Sequence, residues 1–78
     1  MSIDLNKTIN TMRKLFDMNS ELWHQFKAIE EKSPLGKDDP EAVRLHGEIV
    51  SLNKIYIQYL TEATQAASPK QKEFLANY

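Results

Sequence analysis

Two long stretches without a helix breaker decide what this chain can fold into. Its 78 residues hold only three prolines, Pro34, Pro40 and Pro69. A proline inside a helix removes a backbone hydrogen bond and clashes with the preceding turn, so each one reads as a boundary. The first stretch runs from about Asp4 to Lys32, with the Asp4 carboxylate placed to accept from the free N–H groups at its start. The second opens on Asp39-Pro40-Glu41: an acidic cap, proline at the first helical position and an acid in the first turn. It continues unbroken to about Ala67. Ser68-Pro69-Lys70-Gln71 is a capping-box pattern and starts a short third segment. The expected elements are helices over 4–32, 40–67 and 69–77, with a turn over 33–39 in which Gly36 suits a helix end. Each long helix has ~28 residues and a length of ~42 Å. A short connection between equal helices predicts an antiparallel hairpin. The expected fold class is all-α: a long two-helix hairpin with a short C-terminal helix, one domain over 1–78, completed to a bundle by dimerisation.

Periodicity says which faces are apolar. In the second helix Ala42, Leu45, Ile49, Leu52, Tyr56, Tyr59, Ala63 and Ala66 alternate spacings of three and four, a heptad seam. Val43, Val50 and Ile57 follow successive seam positions, and Leu60 falls between the two lines. At 100° per residue this arc is about 160° wide, more than one neighbouring helix covers. In the first helix Leu5, Ile9, Met12, Phe16, Trp23 and Phe26 form one line. Leu15, Leu22 and Ile29 form a second, with Met18 at its edge, and Arg13, Lys14, Asp17, Glu21 and Glu31 lie on the far side. The surplus of apolar helix surface predicts a protein partner, in a homodimeric four-helix bundle or a hetero-complex. The expected contact residues are Met18, Trp23, Val43, Val50, Ile57, Leu60, Phe74 and Tyr78, with the last two on the third segment.

Three polar residues interrupt the arcs: Asn19, His46 and Asn53. With the turn centred near Gly36, facing residues of a hairpin have numbers summing to about 72. Asn19 then stands level with Asn53, and His46 opposite Phe26 near Trp23. All three are expected as a buried polar register, with the two asparagines in reach of a hydrogen bond.

Composition narrows the function classes. Ten basic and eleven acidic residues are interleaved, for a net charge of −1. Without clustered Arg and Lys no nucleic-acid or anionic-lipid partner is expected. No apolar run approaches the ~20 residues of a membrane span, and Met1 to Asn10 has no leader pattern. A cytoplasmic chain is expected, which the lack of cysteine fits. Glycine-rich phosphate loops, nucleophile elbows and HExxH are absent. Asp38, Asp39 and Glu41 lack the ligand spacing of a calcium loop and are read as helix-capping groups. No catalytic residue, metal, cofactor or small-molecule substrate is expected. The expected function is a non-enzymatic interaction module: a small adaptor, regulator or inhibitor. An enzyme accessory subunit is an alternative.

The run from Ser33-Pro34 through Asp39-Pro40-Glu41 and along the helix to Tyr59 resembles type III secretion needle subunits and their small helical chaperones. That resemblance implies a helical hairpin serving assembly or secretion, and it carries over no functional residue. The Ser68-Pro69 break departs from needle subunits, whose second helix continues to the end.

Overall fold

The computed structural model describes residues 2–78 and is all-α. Helix α1 spans Leu5–Lys32, α2 Pro40–Ala66 and α3 Pro69–Ala76, with one 3-10 turn at Gly36–Asp38. Each start is fixed by a side chain that satisfies an otherwise free N–H. The Asp4 carboxylate accepts from the Lys7 amide at 3.1 Å. Asp39 accepts from the Glu41 amide at 2.9 Å and from the Ser33 hydroxyl at 2.7 Å, which ties the end of α1 to the start of α2. These two bonds, the serine first, hold the Asp39 carboxyl below its ordinary pKa. Gly36 carries the one positive φ among the described residues, +57°, where a side chain would be strained.

The helices pack as a hairpin 52 Å long and 17 by 15 Å across. Its core is two clusters on one seam. Toward the turn, Phe26 sits on Ala42, Leu45 and Ile49, with Leu22 and Ile29 beside it. Ala42 is fully buried, and its small side chain lets α1 approach closely. Toward the open end, Met12 packs with Ala67 and Leu75, flanked by Ile3, Leu5, Tyr56, Tyr59 and Leu60. Helix α3 thus closes the open end of the hairpin and leaves its length uncovered.

One amide ties that end together. Gln71 completes the capping box with Ser68. Its Oε1 also accepts from the Ile3 amide at 3.0 Å, and its Nε2 donates to the Ile3 carbonyl at 2.8 Å. The segment before α1 is therefore held to α3 by a pair of hydrogen bonds spanning almost the whole chain.

The register follows the sum of 72. His46 stands 6.0 Å from the Phe26 ring and 6.4 Å from Trp23. Asn19 and Asn53 border the same small cavity. Burial differs from expectation. His46 and Asn53 are exposed, and Asn19 is half-buried. The asparagines form no hydrogen bond with each other; the Asn19 Oδ1 is buried without a partner. The reason is rotational. Ala42, Leu45, Ile49 and Leu52 take the centre of the contact, which turns His46 and Asn53 onto its flank.

Candidate interaction surface

The candidate surface is built from apolar side chains that the hairpin leaves in solvent. Seven of the eight expected contact residues are exposed: Met18, Trp23, Val43, Val50, Ile57, Phe74 and Tyr78. The eighth, Leu60, is half-buried against the open-end cluster. Phe16, placed by periodicity in the apolar line of α1, is the most exposed of all at 63%. Ile55 in α2 and Leu35 at the tip of the turn are exposed as well and carried no periodic signal. Exposed large apolar groups cost the free chain solubility, and contiguous patches of them mark contact sites.

These residues sort onto two faces of the hairpin. On the first, Trp23, Phe26, Val43 and His46 surround one depression, and Phe16, Asn19, Asn53 and Tyr56 another. Val50 and Ile57 continue the same side of α2, one and two heptads beyond Val43. Phe16 and Trp23 are likewise one heptad apart on α1. At the open end Phe16 and Tyr78 line one depression, and the Tyr78 hydroxyl accepts from Arg13 Nε at 3.1 Å. Phe74 lies 6.2 Å from the Tyr78 ring.

The opposite face is a shallow groove between α1 and α2, with Met18, Leu22, Gly47, Ser51 and Ile55 as its floor. A Cβ added at Gly47 would meet nothing within 4 Å, so this glycine opens the groove and no packing inside the chain demands it. The rim is charged. Arg44 bonds both Glu41 and Glu48, the second at 2.8 Å. Its hydrogen bond to Glu41 lowers the pKa of that carboxyl and raises its own. All three side chains are about half exposed, so these pairs add little stability.

No helix of the described residues is long and apolar enough to cross a membrane. No group of three or more His, Cys, Asp or Glu among the described residues is arranged to hold a metal. Asp39 and Glu41 are engaged in capping and in the Arg44 pair. No protein-family model, curated protein or solved structure matches the chain.

Proposed function

We propose that this chain is a non-enzymatic protein–protein interaction module, a small helical adaptor, regulator or inhibitor that works by packing its apolar faces against another chain. The observation carrying this reading is the line of exposed Phe16, Trp23, Val43, Val50 and Ile57 along one side of the hairpin. A tryptophan such as Trp23 is among the residue types that dominate binding energy, and apolar neighbours around it exclude water from the contact. The third helix leaves that line open, since it packs on the open-end cluster of Met12, Ala67 and Leu75. The reading takes the chain as a cytoplasmic protein, supported by a sequence free of cysteine.

Site-specific photo-crosslinking in the native host tests it. A photoreactive phenylalanine at position 43 or 50 is expected to give discrete protein adducts, identified by mass spectrometry. The same probe at Asn10, an exposed position in α1, is expected to give none. Equal, diffuse labelling from all three positions overturns the proposal.

A further inference from the structure

We infer that the face bearing Phe16, Trp23, Val43, Val50 and Ile57 is covered by a second copy of this chain, whose twofold axis runs along the hairpin so that α1 of each copy lies on α2 of the other. The inference rests on the interaction reading above and names its partner.

Three observations carry it. The first is spacing. By the register sum, Phe16 stands level with Ile57 and Trp23 with Val50. These are two apolar rungs one heptad apart, about 10 Å along the helix. Heptad repetition on both helices of one face suits four-helix packing, because a/d-type positions recur there at the same levels. A twofold axis along the hairpin keeps levels fixed, so each rung meets its own copy and forms a four-residue layer.

The second is charge. Among α2 residues bordering this face the one cation is Lys54, at the level of Asp17 on α1, and both are exposed. Laying α1 on α2 of the other copy sets Lys54 beside Asp17 of the second chain. The other antiparallel choice, α1 on α1 and α2 on α2 about an axis across the hairpin near its middle, sets Lys54 against Lys54. Like charges at such flanking positions are repulsive and select partner orientation.

The third is size and polarity. The chain is 52 Å long and 17 Å across, so one whole side of it projects about 880 Å². A standard stable interface hides about 800 Å² per partner. Between the two apolar rungs lies the level of Asn19 and Asn53, where the Asn19 Oδ1 is buried without a donor. The twofold gathers four asparagines into one layer. A lone polar layer in an apolar seam fixes register.

The full chain tests this in two measurements. Sedimentation equilibrium from about 1 to about 500 µM is expected to show the mass double from 9.0 kDa. Val50→Lys is expected to raise the dissociation constant about tenfold or more, with helicity retained because Val50 is 41% exposed. Ile55→Lys, on the groove face, is expected to leave it unchanged. A spin label on Lys37→Cys, in a chain with no other cysteine, reads the arrangement. Turns at the same end put the labels about 20 Å apart, two interhelical spacings; turns at opposite ends put them close to the 52 Å length. A constant 9.0 kDa mass, loss of the dimer with Ile55→Lys in place of Val50→Lys, or the long label distance each overturns the inference. A constant monomer that still gives discrete photo-adducts from position 50 overturns only the identity of the partner and leaves the interaction reading standing.

Discussion

Replacing Asn19 by leucine is expected to stabilise the folded monomer. The Asn19 Oδ1 is buried and lacks a hydrogen-bond partner. A buried acceptor left unpaired costs about 1–3 kcal/mol. Leucine removes that cost, and its larger apolar side chain extends into a cavity already lined by Leu15, Phe16, Leu52 and Tyr56. Part of the gain is returned as packing adjustment, so a net stabilisation of about 1–2 kcal/mol is expected. In a chain this small that is a rise of roughly 5–15 °C in Tm. The assay is thermal and urea unfolding followed by helical circular dichroism at the lowest workable concentration, where association does not contribute. Asn53→Leu is the control: Asn53 is exposed, and the change is expected to stay within about 0.5 kcal/mol. An unchanged or lowered Tm for Asn19→Leu would mean that the oxygen is satisfied in solution and that the polar level carries no stability cost.

Three further perturbations test other parts of the structure. Leu45, 1% exposed at the centre of the core, is expected to cost about 3 kcal/mol as alanine, measured by urea unfolding; a loss below about 1 kcal/mol would contradict its packing against Phe26 and Ile49. Gln71→Ala removes both bonds to Ile3 and half of the capping box, with an expected cost of about 1–3 kcal/mol and faster hydrogen exchange at the Ile3 amide; unchanged exchange there refutes the tie. The Asp39 carboxyl is held below its ordinary pKa by the Ser33 hydroxyl and then the Glu41 amide. Its folded pKa is thus lower than its unfolded one, so its contribution is complete above the unfolded value and is lost as pH falls through the folded value. Ser33→Ala is expected to move the acid unfolding limb to higher pH, and an unmoved limb sinks that account.

The helices, their limits and their register were legible because each depends on local chemistry. Asp4, Asp39 and Ser68 cap where the sequence put them, since a cap needs only a short acceptor beside free N–H groups. The connection length alone set Phe26 against His46 and Asn19 level with Asn53. Periodicity also showed that the apolar arcs were broader than one contact. Which part of each arc goes inside was beyond it. Phe16 and Met12 lie on one apolar line of α1, yet Met12 is 2% exposed and Phe16 63%. That split arises because Ala67 and Leu75 close over Met12, while Phe16 stands at the edge of the open-end depression and is not covered by them. The flank positions of His46 and Asn53, the exposure of Ile55 and the tie from Gln71 to Ile3 have the same origin. A repeating pattern fixes the direction in which a helix is apolar, whereas the rotation at which two helices settle is set by the side chains that fill the narrow strip between them.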